Sequence, residues 1–483
     1  MPKQLLRITN EYSMLQNTIL RTQSCEMENS KITIICNKDH YFIILEQIQE
    51  LKIEHLNFQI ITEPCGRNSA PAICISSLIT GNENTISIIM PCDHILDAQE
   101  FKSCFNKSFS YIDKSIVTFG VIPNKPETGY GYIKVKFNIN MDGHLIQKFI
   151  EKPCLKEAQE FFESGNYFWN AGIFIFKNIN MIRCFEKYAP DILESSRECI
   201  SKTDLSSKNL IHLSSDFLKI RSISIDYAIM ELLTKDDLSI INAYTIPYIS
   251  YWSDIGSYSS LYDAINDALN DAILPENESE KESSMSNNKN NVVRDLSSKN
   301  SASNTFLYNV SNSYIDSEKS FVAVIGVDNL VVVNTDDALL ICNKDQTQDV
   351  KKVVDYLNSS DKKELTLEHK KVYRPWGFYV NVYGSDTDGS KIKKITVYPG
   401  KKLSLQSHNQ RSEHWVITRG VGKVQVGQEF YNMTVDSHIY IPQKELHRIE
   451  NVGDELLEFT ETQIGTYLGE DDIIRYEDDF GRV

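Results

Sequence analysis

Clustered glycines, long apolar runs, C-x-x-C pairs and an excess of positive charge are all missing from this chain of 483 residues. Each absence excludes something. The formal net charge of −16 disfavours nucleic-acid backbones and anionic membrane surfaces as partners. No apolar stretch reaches the roughly 20 residues of a membrane-spanning helix, and Met1-Pro-Lys-Gln-Leu-Leu-Arg7 reads as neither a signal nor a transit peptide. The 10 cysteines lie between Cys25 and Cys342, with none towards the C-terminus. That pattern suits reduced, buried thiols rather than a disulfide framework, so a cytoplasmic location is expected. The content that is present, 41% hydrophobic and 24% charged, fits a soluble globular protein. The length exceeds one ordinary core and predicts two or three domains.

The densest chemistry lies near the C-terminus, in Gln406, His408, Glu413 and His447. Gln406 and His408 are two apart, so on a strand they project from one face. His447 follows in Pro442-Gln-Lys-Glu-Leu-His447. Imidazoles, a carboxylate and an amide oxygen are what a divalent metal such as Zn²⁺, Co²⁺ or Mn²⁺ takes. The residues between form short β-runs (Trp415 to Thr418, Lys423 to Val426, His438 to Ile441) broken by Gly420, Gly422 and Gly427. This predicts a small antiparallel barrel with ligands in its mouth. One such histidine would read as ordinary barrel lining; four ligand types in one β-segment favour a metal site.

Residues 1–270 alternate apolar strand-like runs (Ile32 to Cys36, Asn57 to Thr62, Thr85 to Met90) with helix-like stretches (Ala70 to Ile79, Gln99 to Ile112). This predicts an α/β layered domain with a mostly parallel sheet. Residues 271–305 are rich in Glu, Ser, Asn and Lys and read as a flexible insertion. A small β-rich segment follows over 306–362, then the barrel over 363–483. No repeat is visible.

Within the first domain, Glu63-Pro-Cys-Gly-Arg67-Asn68-Ser-Ala-Pro-Ala72 and Met90-Pro-Cys-Asp93-His94 follow apolar strands. Further along come Pro126-Glu-Thr-Gly129-Tyr-Gly131-Tyr132, Phe149-Ile-Glu151-Lys152-Pro153, Trp169-Asn170-Ala-Gly172, Ser224-Ile-Asp226-Tyr-Ala228 and Trp252-Ser-Asp254-Ile-Gly256. Asp93 sits at a strand's C-terminal end, where ligands bind in open α/β sheets. Asp93 and Asp254 together would hold Mg²⁺ against phosphates. Gly129 and Gly131 let backbone approach a flat ligand. Glu151 accepts from sugar hydroxyls, Lys152 meets a phosphate, and Asn170 offers a donor and an acceptor. Singly, each also reads as a cap, a turn glycine or a surface pair. Their order is what carries weight.

That order resembles the sugar-nucleotide pyrophosphorylases, most closely the mannose-1-phosphate guanylyltransferase family. The barrel resembles the type II mannose-6-phosphate isomerases, through Tyr373-Arg-Pro-Trp-Gly377, Leu403-Ser-Leu-Gln-Ser-His408, Arg411-Ser-Glu-His-Trp415 and Tyr467-Leu-Gly-Glu-Asp-Asp-Ile-Ile-Arg475. Together they are similar to the bifunctional enzymes that carry both activities. The resemblance implies a nucleotidyltransferase-like domain and a cupin-type barrel. It implies GTP and mannose 1-phosphate as substrates of the first, and mannose 6-phosphate as substrate of the second. It places Asp93 and Asp254 on Mg²⁺, Gly131, Glu151 and Asn170 on mannose, and Lys152 on its phosphate. Lys3 faces the phosphates, and Glu63, Arg67 and Asn68 lie towards the guanosine. In the barrel, Gln406, His408, Glu413 and His447 hold the metal, and Arg411 and Arg475 contact phosphate or enediolate. Homo-oligomerisation stays open.

The family opens with a buried strand and a loop, Gly-Gly-x-Gly-x-Arg-Leu-x-Pro, ahead of Pro-Lys-Gln. This sequence begins Met1-Pro2-Lys3-Gln4. The expectation is that two neighbouring strands keep unpaired edges. The start then lies upstream, a separate chain supplies the piece, or the first domain is a weakly folded remnant. Two alternatives to a bifunctional enzyme follow: only the isomerase works, or the chain is a non-catalytic sugar-nucleotide-binding subunit.

Overall fold

A computed structural model describes residues 2–477 apart from 24, 26–29, 54–55, 81, 138–139, 237, 273–290, 296–303, 318–319, 336–337, 361–364 and 366–370. The chain divides into two compact units. One is Pro2–Gly256 with Asp263–Ala268; the other comprises Ser257–Tyr262 and Leu269–Val483.

The first unit is layered α/β. Its long Tyr167–Lys177 strand shows why the apolar runs are continuous. Phe174 and Phe176 pack into one core cluster, and Ile173 and Ile175 into another on the opposite face. A strand buried on both faces has no polar alternation. Strand direction is more mixed than the expected mostly parallel sheet. Ile32–Asn37, Phe58–Glu63 and Leu210–His212 form a parallel three-stranded sheet. A second sheet has six strands, and among the described residues its only parallel pair is Ser115–Val121 with Asn242–Tyr248. Tyr132–Lys136 and His144–Ile150 pair antiparallel, joined by a short connection, and Tyr167–Lys177 runs antiparallel to three neighbours. Apolar runs reveal burial and carry no information on direction. Ile32–Asn37 and Ile86–Ile89 each end their sheet, and among the described residues no strand pairs with the outer edge of either. Their residues are all only half-buried.

In the second unit, parallel pairing continues where a simple β-rich segment was expected. Val292–Asp295 lies beside Tyr314–Ser317, which lies beside Leu330–Asn334; Thr305–Tyr308 lies beside Val322–Ile325. Paired positions such as Tyr314 and Val331, or Thr305 and Val322, are 17 residues apart. This is a β-helix with a 17-residue rung, a repeat that the sequence did not disclose. Asn312 and Asn329 sit at its corners with positive φ and stack their amides, Asn312 Nδ2 donating to Asn329 Oδ1 at 3.0 Å. The segment 271–305, expected to be a flexible insertion, contributes the Val292–Asp295 strand. Its stretches 273–290 and 296–303 lie outside the described residues.

The barrel consists of a six-stranded and a five-stranded antiparallel sheet. Ile395, Ile417, Leu457 and Phe459 of the first pack with Val424, Met433 and Ile449 of the second. Alternate residues of Arg411–Arg419 and Leu457–Gly465 point inward. Near one end those inward residues are charged rather than apolar, and there the site lies.

Candidate active site

The side chains singled out in the sequence gather into two clusters, one in each unit. In the barrel, Leu405–His408 and Arg411–Arg419 project His408 and Glu413 inward, and His447–Asn451 adds His447. The three are 2%, 1% and 1% exposed. Their ligand atoms lie within 4.8 Å of one another. His408 Nε2 stands 3.1 Å from Glu413 Oε1, and His447 Nε2 stands 3.5 Å from Oε2. His447 Nδ1 is 2.9 Å from the Glu445 carbonyl, which fixes the Nδ1–H tautomer and leaves the Nε2 lone pair free. Arg411 Nε and Trp415 Nε1 each donate to Glu413 at 3.1 Å and set its orientation. Gln406 pairs directly with His447 across the sheet, and its side chain accepts from Ser404.

The donor set fits a divalent transition metal. His408 Nδ1 and Nε2 and His447 Nε2 are buried without a hydrogen-bond partner, which is costly unless an ion takes them up. Burial alone would push Glu413 up, but the His408 and His447 rings beside it hold it well below the usual carboxylate range. Burial lowers His408, outweighing the Glu413 carboxylate beside its Nε2. Arg411 is engaged with Glu413 and, through Nη1, with the Gly469 carbonyl at 2.9 Å. Arg475 lines the same cavity, beside Gln406 in the sheet.

In the first unit, Lys3 organises the second cluster. Its Nζ lies 3.1 Å from Asp93 Oδ2 and donates to the carbonyls of Asp254 (2.8 Å) and Ile255 (3.0 Å). Gln4 donates to the same Asp93 oxygen. Asp254 Oδ1 accepts from Tyr130 Oη and from the Gly256 N–H. Lys3 thus ties the Asp93 carboxylate to the backbone that carries Asp254, and carboxylates are the ligands that a hard divalent cation takes. Nearby, Glu151 closes over Gly131 so tightly that a Cβ there would meet Glu151 Oε2 at 2.5 Å. Burial, then the charge of Asp226, lifts Glu151 to about 7. Asn170 donates to Asp226, accepts from Thr118, and is tied to Gly131 through its backbone. Lys152 is exposed, with positive φ, 4.0 Å from Glu151.

Around the Phe58–Glu63 strand the picture is more structural. Glu63 is buried at the strand end and lifted to about 7 by that burial. Arg67 donates to the Leu218 carbonyl. Asn68 caps the Ser69–Ile79 helix with φ +68°.

Comparison with known proteins gives a family model for each region. Residues 1–271 match the nucleotidyl transferase family model. The chain is 36% identical over 99% of its length to a mannose-1-phosphate guanylyltransferase of Salmonella typhimurium, 92% of which it covers. The chain belongs to the mannose-1-phosphate guanylyltransferase family. A Klebsiella pneumoniae guanylyltransferase is likewise 36% identical, over all of this chain and 95% of its own. Residues 360–478 match the mannose-6-phosphate isomerase C-terminal model, and 307–357 a MannoseP isomerase/GMP-like β-helix domain. Among solved structures, a Thermus thermophilus protein described as a mannose-1-phosphate geranyltransferase shares the fold. Its TM-score is 0.53 at 21% identity, over 74% of this chain and 96% of its own.

In this guanylyltransferase-family chain, sequence reasoning assigned no role to Tyr130, Asp226, Lys393, Glu461 or Glu470. Tyr130 and Asp226 stand inside phrases already singled out, so their signal was present. The other three line the barrel cavity. Glu461 is lifted to about 7 by burial and then by Glu413. Glu470 is held at about 2, Lys393 more than offsetting its burial.

Among the described residues, no helix is long and apolar enough to cross a membrane.

Proposed function

We propose that the chain is a two-headed enzyme of GDP-mannose supply. The first unit joins GTP and mannose 1-phosphate to give GDP-mannose and diphosphate, and the barrel interconverts mannose 6-phosphate and fructose 6-phosphate. The observation that carries the isomerase half is the buried His408–Glu413–His447 cluster with its unpartnered ring nitrogens. For the transferase half it is Lys3 bridging the Asp93 carboxylate and the Asp254 backbone carbonyl, together with the grouping of Glu151, Gly131 and Asn170.

Guanylyl transfer is an in-line displacement at the α-phosphorus, so the protein's work is positioning and charge neutralisation. Asp93 and Asp254 would hold Mg²⁺, which supplies charge to the phosphates. Lys3 adds a positive charge at the same point. Glu151 and Asn170 orient the mannose hydroxyls over Gly131, and Lys152 meets the sugar phosphate. Glu63 borders the guanosine end, with Arg67 and Asn68 holding the backbone there through the Leu218 carbonyl and the helix cap. In the barrel His408, Glu413 and His447, with Gln406, would hold Zn²⁺, Co²⁺ or Mn²⁺, which offsets negative charge developing on the sugar oxygens. Arg475 offers its guanidinium to the phosphate.

A second reading, in which only the isomerase turns over, is favoured by the unpaired outer edges of Ile32–Asn37 and Ile86–Ile89 beside the first site. One preparation tests both. Diphosphate release from GTP, mannose 1-phosphate and Mg²⁺ supports the two-headed reading. Isomerisation of mannose 6-phosphate without such release leaves the second. Absence of both activities refutes the enzyme reading.

A further inference from the structure

Isomerisation needs a group that carries a proton between adjacent sugar carbons, and the metal-binding residues are already committed. Among the described residues, three carboxylates line the barrel cavity: Glu413, Glu461 and Glu470. Glu413 is held by His408, Arg411 and Trp415. Glu470 is pinned between cations, 2.5 Å from Lys393 Nζ and 3.8 Å from an Arg374 nitrogen. Glu461 differs. It is 4% exposed, and among the described residues no cation lies within 4 Å of it. Its Oε1 accepts one hydrogen bond, from Gln463 Nε2 at 2.6 Å. Among the described residues its other oxygen accepts none.

The sheet register places this carboxylate. Glu413 pairs with Gln463, and Glu461 pairs with Trp415 on one side and Lys393 on the other. Glu461 is therefore the diagonal inward neighbour of Glu413, a separation of about 7–8 Å between Cα atoms. Both side chains point inward and line one cavity, so Glu461 lies alongside the cluster that would hold the metal without being part of it.

We propose that Glu461 is the acid–base residue of the isomerase. The inference rests on the isomerase reading above. In the aldose-to-ketose direction the Glu461 carboxylate takes the proton from C2. The C2–H electron pair becomes the C1–C2 double bond, and the C1 carbonyl oxygen takes up the negative charge. The carbonyl then forms at C2, the carboxyl returns its proton to C1, and the hydroxyl proton passes from O2 to O1. Substrate and product are isomers, so no co-reactant is needed. Gln463 holds the carboxylate in place through both protonation states.

The test uses the full chain loaded with Co²⁺ or Mn²⁺, in D₂O, with mannose 6-phosphate followed by proton NMR. Wild type is expected to isomerise and to place solvent deuterium at C1 of fructose 6-phosphate. E461Q is expected to lose turnover and exchange by about 10²- to 10⁴-fold while keeping its metal stoichiometry. Formate, a small carboxylate, is expected to restore exchange to metal-loaded E461A, which a purely structural role would not allow. Exchange by E461Q within tenfold of wild type overturns the assignment, as does metal-loaded E461A that formate leaves inactive. If E461Q does not fold, the formate result with E461A decides. A wild type that does not isomerise with either metal overturns the isomerase reading itself, and this proposal with it.

Discussion

Replacing Arg411 by lysine separates two roles for one residue. Arg411 is 2% exposed and spans two acceptors, Glu413 Oε1 at 3.1 Å and the Gly469 carbonyl at 2.9 Å. A lysine keeps the charge but has one head group, so it reaches one acceptor or the other. The acceptor left behind is buried and unpaired, costing about 1–3 kcal/mol. If Glu413 is the one released, its orientation towards His408 and His447 loosens. Outer-shell changes of this kind weaken metal binding by about 10- to 100-fold, which is about 1.4–2.8 kcal/mol. The two estimates overlap, as they should if one contact underlies both. Calorimetric titration of metal-free R411K with Co²⁺ is expected to show that loss, together with a thermal midpoint lowered by about 4 °C or more. Unchanged metal affinity with a raised KM for mannose 6-phosphate would refute the reasoning. Arg411 would then serve the sugar phosphate, and Trp415 alone would set Glu413.

Other substitutions test the two units separately. G131A pushes Glu151 Oε2 out of its 2.5 Å approach and is expected to slow guanylyl transfer by about 10- to 100-fold, leaving isomerisation unchanged when both are assayed in one sample. N68A loses a helix cap and is expected to destabilise the first unit by about 1 kcal/mol in denaturant titration. N68G, free of the strain at φ +68°, is expected to stay near wild type; a selective rise in KM for GTP would give Asn68 a substrate role instead. Glu470 ionises at about 2, below the ordinary 4.5, because Lys393 outweighs its burial. Its contribution to stability is therefore complete above about 4.5 and disappears as pH falls towards about 2. Thermal melts of E470Q are expected to show a shallower loss over that window than wild type. The effect is modest, since 36% of the side chain is open to solvent screening.

The metal cluster was legible because its signals are local. Two residues two apart on a strand share a face, and His447 lies in a short turn-to-strand phrase. Glu461 was not legible, because Glu458-Phe-Thr-Glu-Thr-Gln463 reads as an ordinary strand with one wet face. Only pairing with both Ser390–Val397 and Arg411–Arg419 turns that face into the cavity. Arg411 was expected to meet substrate, and its guanidinium lies on Glu413 and Gly469, a contact that depends on the loop after Leu457–Gly465. The first domain's α/β layering was visible in its apolar runs, while strand direction depends on connections that hydrophobicity does not encode. The 17-residue rung stayed hidden because strands of four or five residues, with loops of different composition, leave only spaced asparagines as a trace.

The outer edges of Ile32–Asn37 and Ile86–Ile89 bear on handling as well as on activity. Ile32-Thr-Ile-Ile-Cys-Asn37 and Ile86-Ser-Ile-Ile89 carry neither the lysines nor the prolines that usually keep such edges from templating other chains. Concentration and storage time, more than equilibrium unfolding, will then set how long a stock stays monodisperse. Loss will proceed by accretion from the folded state, with a lag that shortens as protein concentration rises.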